Sequence, residues 1–443
     1  MTATPRDPFA PPASGGGPKP PRLGFRRGHL SDRQSRALTG LAMIYSLRML
    51  GLYMVLPVLS IYALQLEGAS DLLTGFSVGA YGLTQGLLQI PMGRLSDRIG
   101  RKGVIALGLG LFAAGSVLAG LSTHIYTLIA GRILQGSGAV AAAVVALAAD
   151  LSPDHARTQA MARLGAWLGV SLALGIVAGP AVSDVLGVPA LFFATAALSV
   201  GGIVYLHFAV PEPKHVNAAD SRDAPLSAEI VEQIEGVSPI QDDEIRAADL
   251  KSVLARPRVL LICLGVFLIH TLLTAILVIM PVKLTQFVDQ KAISLILAPT
   301  AVFALALMLI SARVADRLRQ RHLAFLLGVL LLVAANATFA AAPEGLVGLA
   351  TGVSLFLMAL VLLEPLLSSL ISQHAPKEHR GTTLGVYHMS LFFGATVGGP
   401  VGGAFLSGTM SHFFAVAGVG SILWALLITR HRKRFFYPTQ EPE

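Results

Sequence analysis

Twelve stretches of about twenty apolar residues, separated mostly by short polar connections, decide most of what this chain can fold into. They run over 37–64, 72–92, 103–121, 125–149, 159–183, 188–210, 258–284, 292–312, 323–342, 345–371, 382–408 and 410–430. Each is long enough to cross a hydrocarbon core of about 30 Å as a helix rising about 1.5 Å per residue. A helix also satisfies its own backbone hydrogen bonds, which lipid cannot do for it. With 54% hydrophobic and 13% charged residues, against roughly 25% charged in an ordinary soluble domain, the chain belongs in a bilayer. The expected fold is an all-α integral membrane protein of twelve transmembrane helices.

The net charge of +8 would suggest nucleic acid in a soluble protein, but its placement gives it another meaning. Of the 33 Lys and Arg residues, all but Arg48, Arg132, Lys283 and Lys291 fall in the two tails, the connections 2–3, 4–5, 6–7, 8–9 and 10–11, or their helix margins. By the positive-inside rule both termini are expected in the cytoplasm. The opposite connections are short, so no external domain is expected. Residues 1–36 are rich in Pro, Gly and Arg and lack the apolar core of a signal peptide, so a disordered basic tail is expected there. Cys263 is the single cysteine, which excludes an intramolecular disulfide.

The chain reads as one unit written twice. GRLSDRIGRK at 93–102 is echoed by ARVADRLRQRH at 312–322, pairing Asp97 with Asp316 at an offset of 219. SPDHAR at 152–157 is echoed by APKEHR at 375–380, at an offset of 223, and Gly179-Pro180 by Gly399-Pro400, at 220. Three echoes at nearly one spacing argue for two parallel halves, 37–210 and 258–430, with a linker over 211–257 and a tail over 431–443. Within the linker QDDEIRAADLKSVLARPR reads as an amphipathic helix lying on the membrane surface.

The connection GRLSDRIGRK must reverse the chain within a few residues, which Gly93 and Gly100 permit because glycine reaches positive φ without steric cost. The string resembles the G-x-L-x-D-R-x-G-R-K signature between helices 2 and 3 of the major facilitator superfamily of secondary transporters. Ser96 stands where alanine is commoner. The resemblance implies two six-helix bundles with a substrate site between them near the midplane. It also implies a gate in which Asp97, within the motif Gly93, Arg98 and Gly100, latches the loop against span 11, helped by Arg101 and by Asp150 at the end of span 4. In the second half Arg319 replaces Gly100 and Gln373 stands near the place of Asp150, so the latch is expected to be lopsided.

Two further motifs extend the resemblance. LIAGRILQGSGA at 128–139 is similar to the family's second motif, an arginine followed by Q-G-x-G. Arg132 lies about 12 Å deep along its helix, and a charge at that depth must face protein or water. Gln135 and Gly136 share its face. GIVAGP, with Gly175, Gly179 and Pro180, resembles the antiporter motif of span 5, although Ser183 and Asp184 replace its two final glycines. Together with RMLGLYMVLPVLSIYA and YGLTQGLLQIPMGRLSDRIGRK, these motifs place the chain nearest the bacterial drug:proton antiporter branch. Some relatives append a soluble domain after span 12, whereas this chain ends about 13 residues past it and is expected to lack one.

The remaining polar groups inside the spans are few. Arg48 in span 1 and His270 in span 7 occupy symmetric midplane positions and are expected at the gate or the cavity. Ser77, Tyr81, Gln85 and Gln89 recur every four residues on span 2 as one polar stripe. Tyr53, with Tyr45, Trp167 and Tyr387, supplies cavity aromatics. Glu364 in span 10 is the one acid well inside a predicted span, and His388 in span 11 lies at similar depth. Glu364, His388 and Arg132 are the candidates for proton coupling.

No phosphate-binding G-x-x-x-x-G-K-[ST] loop occurs, nor H-E-x-x-H, C-x-x-C or G-x-S-x-G, so neither ATP hydrolysis nor a familiar enzyme site is expected. The expected activity is alternating-access transport without cofactor or metal, by a monomer in a bacterial inner membrane. Its partners are a small-molecule substrate, protons and the lipid bilayer, and no nucleic acid. Proton-coupled efflux of small lipophilic solutes leads. A proton symporter importing a sugar, organic acid or amino acid, and a receptor on a transporter fold, are the alternatives.

Overall fold

The computed structural model describes residues 32–152, 157–210, 252–289, 292–300, 302–303, 306–307, 321–341, 345–376, 380–430 and 435–436. Twelve helices are defined among them: α1 Asp32–Leu64, α2 Asp71–Ile99, α3 Arg101–Gly120, α4 Ile125–Ser137, α5 Ala141–Asp150, α6 Arg157–Leu186, α7 Val188–Ala209, α8 Pro257–Leu284, α9 Arg321–Ala341, α10 Leu346–His374, α11 Arg380–Ala404 and α12 Met410–Arg430. Helices α1 to α3 fill spans 1 to 3, α4 and α5 share span 4, α6 to α8 fill spans 5 to 7, and α9 to α12 fill spans 9 to 12. Span 8 is described as helix over 292–300, 302–303 and 306–307. The linker helix expected before α8 and the Asp316 loop lie outside the described residues.

Local chemistry sets the boundaries. Ser70 caps α2 by accepting from the Leu73 N–H at 3.3 Å, and Asp71 places an acid in the first turn, where the helix dipole favours it. The far end of that helix differs from expectation. It continues through Gly93 to Ile99, and the reversal into α3 is made by Gly100 alone, at φ 89°. The ten-residue loop is therefore mostly helix, because nothing before Gly100 breaks the backbone ladder. Span 4 differs as well: instead of one helix it breaks after Ser137 and restarts at Ala141.

Three apolar clusters hold the bundle. For orientation, the tail end is where α1 starts and α12 finishes, and the far end is opposite. At the tail end of the first half, Leu38, Leu41, Ile105, Leu109, Val144, Leu147 and their neighbours pack together. A second cluster fills the second half along its length, from Val259 and Phe325 to Phe339 and Phe414, and includes Phe435 and Phe436 after α12. The third lies at the far end and joins the halves, since Val278 of α8 and Leu406 after α11 are buried with Val55, Val58, Leu59 and Phe192. Nine of the described helical segments are long and apolar enough to cross a membrane on composition alone. Helices α2 and α11 do not meet that test, and these two polar or glycine-rich helices lie against each other between the halves.

Candidate functional site

In the first half the polar groups form a buried network around two arginines. Arg48 sits midway along α1 and is 1% exposed. Its Nη2 donates to the Gly138 carbonyl at 2.9 Å, the Tyr81 hydroxyl at 3.1 Å and Gln85 Oε1 at 3.5 Å. The guanidinium lies over the Phe112 ring at 4.6 Å, a favourable cation–π placement. Gln85 in turn donates to Gln89 at 3.3 Å. The Gly138 carbonyl is available because span 4 breaks there, so an α1 side chain supplies the donor that the next turn of helix would have given. Thr84 of α2 also reaches α4, donating to the Ile133 carbonyl at 2.8 Å.

Arg132 of α4 is also 1% exposed. Its Nη1 donates to Gln135 Oε1 at 2.7 Å and its Nε to the Ser77 carbonyl at 3.3 Å, and the guanidinium stacks 5.1 Å from the Tyr81 ring centroid. Gln135 passes the chain on to Ser116 of α3 at 2.8 Å. Tyr81 thus touches both arginines, one through its hydroxyl and one through its face. Neither arginine has a carboxylate partner among the described residues. Arg48, Gln85, Arg132 and Gln135 are buried inside the first half, whereas Tyr53, Tyr81 and Gln89 are half-buried. Tyr387 is fully buried in the second half's apolar cluster.

The second half carries the acid. His270 Nε2 on α8 lies 3.8 Å from Glu364 Oε1 on α10, and His270 Nδ1 is 3.0 Å from the Val266 carbonyl. Nδ1 bonded to that carbonyl carries the hydrogen, which leaves Nε2 of a neutral ring as the acceptor facing Glu364. The Glu364 side chain is 44% exposed and the His270 side chain 9%. The sequence sets Glu364 and His388 at similar depth. The structure gives Glu364 the His270 contact and places His388, half-buried, with its ring 5.5 Å from that of Tyr387. Pro365 follows Glu364 inside α10 and frees a carbonyl one turn back.

At the tail end the Arg101 Nε and Asp150 Oδ2 lie 3.5 Å apart, joining the start of α3 to the end of span 4. Arg101 also donates to Ser96 Oγ at 2.7 Å, and Ser96 donates to the Gly93 carbonyl at 2.8 Å. Arg98 is exposed on the last turn of α2. The Asp97 side chain lies outside the described residues.

The glycines expected in span 5 have a specific job. A Cβ on Gly175 would stand 2.6 Å from Tyr53 Cβ, and one on Gly179 would overlap the Met54 carbonyl, so α6 presses directly on α1 at the Tyr53 turn. Gly399, the echo of Gly179, works between the halves instead: a Cβ there would overlap the Gly75 carbonyl and stand 2.8 Å from the Gly79 N of α2. Pro180 and Pro400 lie inside their helices.

Two features were missed in the sequence. The break in span 4 is signalled by the string QGSGA, where Gly136 and Gly138 admit Tyr81 and Gly108 backbone atoms too close for any side chain. The pairing of Asp71 with Ser407, described below, has no signature. No group of His, Cys, Asp and Glu suited to a metal occurs among the described residues.

Comparison with known proteins gives one consistent picture. The family description "Major Facilitator Superfamily" matches residues 41–399 and 262–442. The Escherichia coli inner membrane transport protein YajR is 39% identical over 378 residues, covering 84% of this chain and 78% of that protein. An uncharacterised transporter of Buchnera aphidicola is 28% identical over 401 residues, covering 89% of this chain and 96% of its own length. Among solved structures, the nucleoside transporter NupG superposes with a TM-score of 0.66 at 14% identity, covering 89% of this chain and 99% of that one, a likeness of fold.

Proposed function

This chain belongs to the Major Facilitator Superfamily and is a multi-pass membrane transporter, and we propose that it couples proton entry to the efflux of small lipophilic solutes by alternating access. The observation that carries the reading is the His270–Glu364 contact: a half-exposed acid inside a helix interior, beside an imidazole, in the half where none of the described arginines is buried. Intramembrane ionisable groups cost several kcal/mol in a bilayer and are kept where they pair or move protons. Glu364 would take a proton in one facing and release it in the other. The buried network of Arg48, Tyr81 and Arg132 would hold the first half rigid while the second rocks against it.

The basic tail-end connections support a cytoplasmic tail end in a bacterial inner membrane. With that orientation the far-end cluster that joins the halves would close the outer side. The antiporter-like glycines of α6 favour exchange, while Ser183 and Asp184 in place of two glycines keep proton symport as the second reading. The test is flux of a fluorescent lipophilic cation from proteoliposomes under an imposed pH gradient. Movement opposite to the proton that is lost in Glu364→Gln supports the reading; movement with the proton establishes symport, and gradient-driven movement preserved in Glu364→Gln removes that residue from the mechanism.

A further inference from the structure

The far end holds a fastening that the family's tail-end motif does not describe. Ser407, in the turn between α11 and α12, donates to Asp71 Oδ2 at the start of α2, so a second-half hydroxyl meets a first-half carboxylate. Directly beneath this contact the two helices touch backbone to backbone. A Cβ on Gly403 would overlap the Asp71 carbonyl and stand 3.1 Å from Leu72 Cα, and one on Gly79 would stand 2.6 Å from the Thr396 carbonyl. Leu406, next to Ser407, is buried in the cluster that joins the halves. Ser407 is exposed and Asp71 half-buried at the end of this seam, where solution reaches them.

We propose that Asp71 and Ser407 are gating residues, the latch that fastens the far-end seam of α2 and α11 in the conformation closed on that side. The latch rests on the alternating-access reading and extends it by naming what must part when the far end opens. The glycine seam supplies the close fit but no directional bond, because small residues let backbones approach without fixing their register. The Ser407–Asp71 bond is directional and lies at the rim, so it must be among the first contacts broken as the halves separate. A first-turn acid would also suit the α2 dipole with no partner at all. The two roles differ in one respect: only a latch needs Ser407.

The test reads the gate without reading flux. In a Cys263→Ser background, Val278→Cys places a reporter thiol in the far-end cluster, where Val278 is fully buried. Its labelling by a membrane-impermeant maleimide, added to intact cells from the far-end side, measures opening. Removing one net hydrogen bond is expected to raise the labelling rate about fivefold in Asp71→Ala and in Ser407→Ala. The double variant should rise no further than either single one, and Asp71→Asn, which keeps an acceptor oxygen, should stay near the parent. Unchanged labelling in both alanine variants overturns the latch, as does a double variant whose effect is the product of the two. If the reporter fails to accumulate, Val58→Cys replaces it. If Asp71→Ala fails to accumulate, Ser407→Ala carries the test, and unchanged labelling there overturns the proposal. Labelling responds to the gate whether or not the solute chosen for a flux assay is carried, so failure of the latch and failure of the transport reading remain separate results.

Discussion

Replacing Glu364 by glutamine tests the coupling reading quantitatively. Glu364 is the one acid placed well inside a helix of the described bundle, so one proton should cross per cycle. One pH unit is worth about 1.36 kcal/mol per proton, a factor of about ten in an equilibrium. With the membrane potential clamped to zero, a 1:1 exchanger held at a gradient of ~2 pH units should reach a solute ratio of ~100. The logarithm of that ratio should rise with slope one against the pH gradient. Glu364→Gln keeps the size of the side chain and its place beside His270 but cannot release a proton at any working pH. Its solute ratio should fall to about one across the whole range, while downhill exchange of labelled for unlabelled solute continues, because the cavity and both gates remain. The assay is accumulation in proteoliposomes at several imposed gradients with potassium and valinomycin on both sides. A parental slope near two would refute the single-carboxylate argument and bring in a second carrier such as His270 or His388. An intact slope in Glu364→Gln would refute it outright.

Three other outcomes follow from the geometry. Gly175→Ala drives a Cβ to 2.6 Å from Tyr53 Cβ, an overpacking that should cost about 1–3 kcal/mol of stability in detergent, while Gly110→Ala, with nothing within 4 Å, should be neutral; equal unfolding midpoints would contradict the packing described for α1 and α6. The Arg101–Asp150 pair is partly exposed, so a double-mutant cycle with Arg101→Ala and Asp150→Ala should give a coupling below about 1 kcal/mol in stability; any effect of these changes should appear in transport rate instead, and a large loss of stability would make the pair a structural brace. Asp97→Asn should slow transport more than Asp316→Asn, since the second loop has Arg319 in place of a reversing glycine; equal slowing would remove the asymmetry.

Much of the architecture was legible because hydrocarbon imposes a length, and a strand of charge marks each tail-end connection. Spans 1, 3, 5 to 7, 9, 10 and 12 emerge within a few residues of the expected bounds. The turn at 93–102 was misjudged in extent for a physical reason: charge and glycine content mark a connection, but only Gly100 adopts positive φ, and Gly93 stays in the helix because helical backbone suits glycine too. Of the candidate site, the residue types were legible and the partners were not. Periodicity places Ser77, Tyr81, Gln85 and Gln89 on one face, yet it carries no sign that Arg48 from another helix meets that face. Likewise, Glu364 and His270 each stand out as polar groups in apolar helices, while their pairing depends on how α8 and α10 cross.

The break in span 4 and the burial of Arg48 explain each other. A helix interrupted in hydrocarbon leaves carbonyls without donors, and each costs about 1–3 kcal/mol unless a partner is found. A guanidinium at the same depth is costly as well unless carbonyls or rings receive it. At Gly138 the two costs offset, since the donor Arg48 must place is the donor the broken turn lacks, and the bond between them is 2.9 Å. Among the described residues Arg48 therefore rests without a counter-ion, and Glu364 sits in the other half, where a change in its ionisation would leave the join between α4 and α5 undisturbed.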